Sequence, residues 1–305
     1  MTPITSLDQL LSSLRSEPRR KVAVAAGHDP NTIQAAARAV AEGIAEITLV
    51  GDGQRIAELC REHGLDIAAF TIVDEPDVLA AGVRTRDMVR DGDADVLMKG
   101  LIATSDYMKT ILDKERGLLP PGAVLSHVSV FELPAFTARH GKLLIVGDVA
   151  IIPRPDLAAK KQILRYCLDA AHSFGIERPR AALIAATEKV SPRMRATVEA
   201  RAIADAAAVE FPDAVVDGPL ALDVAISPEA CAIKGLESPV GGAADVLVFP
   251  NIESGNVFYK ACTLLANGRL AAAVVGTTAP CVLTSRADSE ESKLLSIALG
   301  CRLVR

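Results

Sequence analysis

The ten residues Lys21-Val-Ala-Val-Ala-Ala-Gly-His-Asp-Pro30 set the pattern for the chain. Residues 21–26 are a short run of small and β-branched apolar side chains, which reads as a buried strand. Asp29 is placed to cap a helix with Pro30 at its first position, a well-formed start signal. That helix runs through Ala-rich turns to about residue 42, and residues 46–50 form a second buried strand.

The alternation extends outward from there. A short helix over residues 7–15 precedes it. A helix to residue 63, a strand at 69–73, a helix at 77–91 and a strand at 95–99 follow. Strand–helix repeats of this spacing imply parallel strands with helices on both faces. Gly51-Asp-Gly-Gln-Arg-Ile56 resembles a dinucleotide-binding loop, but Ile56 stands where the third glycine belongs, so the stretch reads as a plain turn.

Lys99-Gly100 ends the fourth strand and Thr104-Ser-Asp106 opens the next helix. Ligands of doubly wound sheets gather at the carboxyl ends of strands, so Lys99 is placed to meet an anion. The alternative is a strand-end lysine reaching out to solvent. Leu118-Leu-Pro-Pro-Gly122 is the clearest linker in the first half.

Beyond it, residues 123–132 read as a strand carrying Ser126 and His127, and a hairpin through Gly141 returns as a strand at 143–146. Asp148, at that strand's end, is a helix cap, a ligand group or a base. A helix to residue 174, a strand at 181–186, a helix at 192–209 and a strand at 214–217 come next. Asp217-Gly-Pro-Leu-Ala-Leu-Asp223 is dense in turn residues and reads as a loop over a site. A strand at 245–249 leads to Pro250-Asn-Ile-Glu-Ser-Gly-Asn256, with Gly255 and Asn256 at the start of a helix that carries Tyr259 and Lys260. Lys260 follows Asn256 by four positions, on the same helical face.

The last informative stretch is Val275-Gly-Thr-Thr-Ala-Pro-Cys-Val-Leu-Thr-Ser-Arg-Ala-Asp-Ser289. A β-branched strand stops at Gly276, and a turn closes at Pro280. A short apolar run then delivers Thr284, Ser285 and Arg286, with Asp288 just before a helix that begins near Ser289. Unpaired N–H groups and the helix dipole suit such a place to an anion, and Arg286 adds a planar fork that matches phosphate or a tetrahedral oxyanion. The plainer reading is a capped helix with Arg286 paired on the surface.

Composition narrows the class. Of 305 residues, 50% are hydrophobic and 23% charged, a globular profile, while aromatics at 3% leave the core to aliphatic side chains. Six dispersed cysteines and five histidines show no metal-ligand spacing, so no metal site is expected and the thiols should be reduced and buried. The net charge of −5 argues against a nucleic-acid surface but allows an anionic small molecule. No apolar run is long enough for a membrane span and no signal pattern opens the chain, so the cytoplasm is the expected location.

Five blocks in order, Ala94-Asp-Val-Leu-Met-Lys-Gly100, Leu125-Ser-His-Val128, Asp217 to Asp223, Pro250 to Lys260 and Leu283-Thr-Ser-Arg-Ala-Asp-Ser289, resemble the phosphate acetyl/butyryltransferase family, on its butyryl-type branch. The resemblance covers nearly the whole chain. It implies two three-layer α/β/α domains of the isopropylmalate dehydrogenase type, with a cleft between them. Residues 1–123 plus 275–305 would form the first domain and 124–274 the second. It also implies a homo-oligomer that moves a short acyl group between coenzyme A and phosphate, with both as substrates and no cofactor.

On that resemblance Ser285, Arg286 and Asp288 are the catalytic candidates, the first two facing the cleft from the first domain. Lys99, Gly100, Thr104, Ser126, His127, Asp148, Gly255, Asn256, Tyr259, Lys260, Gly276 and Thr284 are the substrate-binding candidates. Acetyl-transferring relatives carry an Asp six residues after the equivalent of Arg286, but this chain has Ser292 there, which leaves Asp288 or Asp148 as replacement bases. A covalent route through Ser285 or Cys281 is conceivable. No histidine lies close in sequence to activate either, so direct attack of phosphate on the thioester is preferred.

Two rivals belong to other classes. A decarboxylating NAD(P)-linked dehydrogenase on the related fold needs a compact Asp cluster that the sequence lacks. A non-catalytic acyl-CoA-binding regulatory module is opposed by the intact Ser285-Arg286 pair.

Overall fold

The computed structural model describes residues 2–284 and 288–304. The chain divides into two compact units, named by their place in the sequence: an outer one of Asp8–Leu125 with Ala271–Arg305, and a central one of Met1–Leu7 with Ser126–Leu270. The first residues belong with the central unit because they are tied there. The Ile4 N–H donates to the Phe174 carbonyl and the Leu7 N–H to the Glu132 carboxylate. Sequence alone placed them in the outer unit.

The strands in chain order are β1 (Arg20–Ala25), β2 (Ala45–Gly51), β3 (Thr71–Asp74), β4 (Val96–Lys99), β5 (Ser126–Glu132) and β6 (Leu144–Gly147). They continue with β7 (Arg180–Ile184), β8 (Val215–Leu220), β9 (Val246–Val248), β10 (Arg269–Val275) and β11 (Cys281–Val282).

In the outer unit the order is β3-β2-β1-β4-β11-β10. Every pairing from β3 to β11 is parallel, and β10 runs antiparallel to β11. The chain builds β1, β2 and β3 in one direction and then crosses back to place β4 on the other side of β1. The ends of β1 and β4 are therefore the switch point of this sheet.

Asp29 caps helix Pro30–Ala41 by accepting the Thr32 N–H at 2.9 Å, and Ser289 caps helix Glu290–Arg302 by accepting the Ser292 N–H at 3.2 Å. The two helices pack together, joined by the buried ammonium of Lys293, which donates to the Thr32 hydroxyl at 3.2 Å and reaches Asp29 at 3.4 Å. Helices Val78–Arg90 and Thr104–Ile111 form a second packed pair.

The central unit has the order β5-β6-β9-β7-β8, with β5 antiparallel to β6 and the remaining pairs parallel. Three features depart from the sequence reading. The β5–β6 connection is not a hairpin but helix Pro134–His140, which Pro134 opens and Gly141 closes at φ 64°. Residues 217–220 lie inside β8 and are not a loop, with helix Leu222–Ile226 after them. Leu118, in the expected linker, is buried, donating its N–H to Ile111 and accepting one from Thr278.

The cores are aliphatic and Ala-rich, with Tyr107, Phe131 and Phe174 the largest fully buried side chains. All six cysteines are buried and unpaired. Among the described residues no helix is long and apolar enough to cross a membrane, and no group of three His, Cys, Asp or Glu could hold a metal ion.

Candidate active site

In the outer unit the candidates collect where β1, β4 and β11 end. Parallel register pairs Ala25 with Lys99 and Val282 with Met98, so Lys99, Gly100 and Thr284 stand at neighbouring strand ends. Lys99 is only 3% exposed, which overturns the solvent-reaching alternative, and its ammonium donates to the Gly100 carbonyl at 3.1 Å. Gly100 donates its own N–H to Ala25, and Leu101 to Ala26.

Thr104 is exposed at the first position of helix Thr104–Ile111, whose cap residue Ala103 offers no side-chain bond. The amino end of that helix thus keeps donor capacity and a favourable dipole for an anion. Gly276 turns the chain after β10 with φ 96°, a conformation glycine adopts without strain. Thr284 is 4% exposed and its Oγ1 has no hydrogen-bond partner among the described residues. A buried hydroxyl without a partner is rare, because it forfeits solvation for nothing.

Ser285 and Arg286 lie outside the described residues. Their flanks are well held. On one side the Tyr107 hydroxyl bridges the Leu97 and Val282 carbonyls at 3.1 and 3.2 Å. On the other, the Asp288 carbonyl accepts from the Asn31 amide at 3.5 Å. Ser292, at the position where relatives carry Asp, takes part in the cap, its hydroxyl 3.1 Å from that of Ser289. Cys281 is fully buried, and burial pushes its thiol up to about 12, which disfavours the thiolate a covalent route would need.

The central unit supplies a second group. Asp148 follows β6, where its carboxylate accepts from the backbone N–H groups of Ala150, Ile151 and Ile152 and from the Ser126 hydroxyl. Ser126 is fully buried. His127 is also buried, 3.2 Å from the Ser129 hydroxyl and edge-on to Tyr259. Burial lowers its pKa, and the nearby Asp148 only partly opposes that. Burial thus favours the neutral form of the imidazole.

Helix Ile252–Leu264 is capped by Asn251, which accepts the Ser254 N–H at 3.0 Å. The helix therefore begins earlier than the sequence reading placed it. Gly255 and Asn256 are inside its second turn, and the Gly255 N–H is already bonded to the Asn251 carbonyl. What remains of the expected donor set is the exposed Asn256 side chain, whose amide donates to the Val149 carbonyl at 3.2 Å. Tyr259 packs edge-on against Phe131, and the exposed Lys260 ammonium lies 5.6 Å from the Tyr259 ring centroid.

Sequence reasoning missed Asn251, although an Asn after an apolar strand with Glu253 in the first turn is a legible start signal. It also missed the Val149 carbonyl as a partner for Asn256, which no sequence pattern reveals.

An α/β protein with anion-suited strand ends is what these features define, and comparison with known proteins makes the class specific. Residues 6–82 and 78–301 match the phosphate acetyl/butaryl transferase family, and the chain belongs to that family. It is 41% identical over 298 residues to the phosphate butyryltransferase of Clostridium acetobutylicum, covering 97% of each chain. It is 38% identical to the phosphate acetyltransferase of Thermotoga maritima, covering 96% of this chain and 98% of that one. The crystal structure of a branched-chain phosphotransacylase from Enterococcus faecalis V583 superposes with a TM-score of 0.82 at 33% identity, covering 93% of this chain and 99% of that one. The fold is thus the isopropylmalate dehydrogenase-like α/β fold expected from the sequence.

Proposed function

We propose that this protein transfers a short acyl group, butyryl by preference, between coenzyme A and inorganic phosphate. The observation that carries the reading is the similarity to a phosphate butyryltransferase over 97% of each chain.

A phosphate oxygen attacks the thioester carbonyl, a tetrahedral oxyanion forms, and its collapse expels the coenzyme A thiolate, which then takes up a proton. Phosphate is an adequate nucleophile, so placement and charge stabilisation matter more than a base; positioning alone can supply ~7–11 kcal/mol in favourable cases. Arg286 is assigned to phosphate and the transition-state charge, and Ser285 to the oxyanion or leaving sulfur. Lys99, Gly100, Thr104, Gly276 and the Thr284 hydroxyl, which has no partner among the described residues, supply the phosphate-side surroundings. Asn256, Tyr259 and Lys260 serve the acyl-CoA. Asp288 stands as a proton acceptor whose loss the chemistry tolerates, since proton transfer contributes at most about 10²–10⁴.

The finer expectations join the proposal. The protein acts in the cytoplasm as a homo-oligomer and needs no metal or other cofactor. Support for self-association comes from Val257 and Leu264, 69% and 76% exposed on one stripe of their helix, with Leu265 at 83% beside them. Light scattering on the purified protein reads the assembly. Phosphate-dependent coenzyme A release across acetyl-, propionyl-, butyryl- and longer acyl-CoA tests the substrate, with a maximum at butyryl-CoA expected. Coenzyme A binding without release would favour a regulatory module instead.

A further inference from the structure

Asp148 is the replacement base with the most explicit geometry, and that geometry assigns it another task. It is 3% exposed, immediately after β6. Its Oδ1 accepts the N–H groups of Ala150 at 2.8 Å and Ile151 at 2.9 Å. Its Oδ2 accepts the Ile152 N–H and the Ser126 hydroxyl, both at 3.2 Å. A carboxylate offers about four lone-pair positions, and here each is occupied by a donor from its own unit. A general base needs one of them within reach of the substrate's proton.

The loop that Asp148 gathers is the seat of the Asn256 helix. The Pro153 carbonyl accepts the Ile252 N–H at 3.1 Å, and the Val149 carbonyl accepts the Asn256 amide at 3.2 Å. The helix presses so closely that a Cβ on Gly255 would stand 2.6 Å from the Asp148 carbonyl oxygen and 3.2 Å from the Val149 Cα. An amide has two N–H donors, so the bond to Val149 fixes the group's orientation and leaves one donor for a ligand.

We propose that Asp148 is a positioning residue: by holding residues 149–152 it aims the Asn256 amide, through the Val149 carbonyl, at the developing oxyanion, and it takes no proton during the reaction. This rests on the acyl-transfer reading above. His127 and Cys167 are the titratable groups that bear on the carboxylate, and both are buried.

The test compares wild type, Asp148→Asn, Asn256→Ala and the double variant in phosphate-dependent coenzyme A release from butyryl-CoA across pH, with the melting temperature of each. Either single change should lower kcat by about 10²-fold, the cost of misplacing one group, with little change in KM for phosphate. The double variant should be no slower than the worse single, and the pH–rate profile of Asp148→Asn should keep the wild-type shape. Disappearance of the acidic limb in Asp148→Asn, or losses that multiply in the double variant, would overturn the proposal.

Should Asp148→Asn fail to fold, Ser126→Ala removes one of the four bonds and carries the same comparison, with a loss on the order of five-fold and an unchanged profile. Wild-type protein inert toward butyryl-CoA would sink the acyl-transfer reading instead. The Asp148–Asn256 coupling is then read from the melting temperatures, where non-additive shifts support the link and additive shifts refute it.

Discussion

A Cβ placed on Gly100 would stand 2.4 Å from the Ala26 carbonyl oxygen, so the end of β4 passes against the end of β1 at a distance that only glycine allows. The contact lies at the switch point of the outer unit's sheet, beside Lys99. Gly100→Ala should force the two strand ends apart and displace the lysine. Activity should fall by about 10²-fold or more, and the melting temperature should drop as well. Full activity in that variant would show that the strand ends can yield without cost to the site.

Buried charge gives a prediction about stability. The Lys160 ammonium and the Glu199 carboxylate pair inside the central unit, and Arg195 joins Glu199 at 2.6 Å. Lys160→Met leaves the carboxylate, among the described residues, with only the exposed Arg195, and removing one partner of a buried pair typically costs about 3–5 kcal/mol. Urea unfolding should show this as a lower midpoint.

The same carboxylate carries a pH dependence. Burial raises the Glu199 pKa, but the bonds from Lys160 and Arg195 outweigh it and leave the value lowered. A carboxylate depressed in the folded state stabilises the protein above its unfolded pKa, and the contribution is lost as pH falls through the folded value. Wild-type stability should therefore decline from the ordinary carboxylate range downward, and the decline should be shallower in Glu199→Gln.

The six buried cysteines predict silence toward alkylation. Iodoacetamide at neutral pH should leave activity intact and modify the thiols only after unfolding. Rapid inactivation would revive the covalent route through Cys281.

Much of the fold is legible in the sequence because local signals and tertiary placement agree. Residues 21–26, the Asp29-Pro30 start and the Ser289 helix start all sit where pattern and capping chemistry put them. Errors arise where local signals are shared between structures. Gly141 marks a left-handed turn, which suits a hairpin and a helix end equally, and only the Pro134 start distinguishes them. Asp217-Gly-Pro reads as a loop by composition, yet β8 carries it, with Gly218 so close to Leu183 that a Cβ would stand 2.6 Å from that side chain.

The candidate site is readable from the sequence as residue types but less so as partners. Lys99 and Thr284 emerge from strand-end logic. The saturation of Asp148, the Val149–Asn256 bond and the Lys293–Asp29 contact join residues that no periodicity connects.

The most direct test of acyl transfer at a guanidinium-assisted site measures phosphate-dependent coenzyme A release from butyryl-CoA by wild type and Arg286→Ala. The account predicts butyryl phosphate and free thiol in equal amounts from wild type. The variant should retain the wild-type melting temperature and lose roughly 10²–10³-fold in turnover, as removal of one oxyanion-stabilising group does elsewhere. Near-full activity in Arg286→Ala would contradict the assignment, and a wild-type protein that binds coenzyme A yet releases none would contradict the function itself.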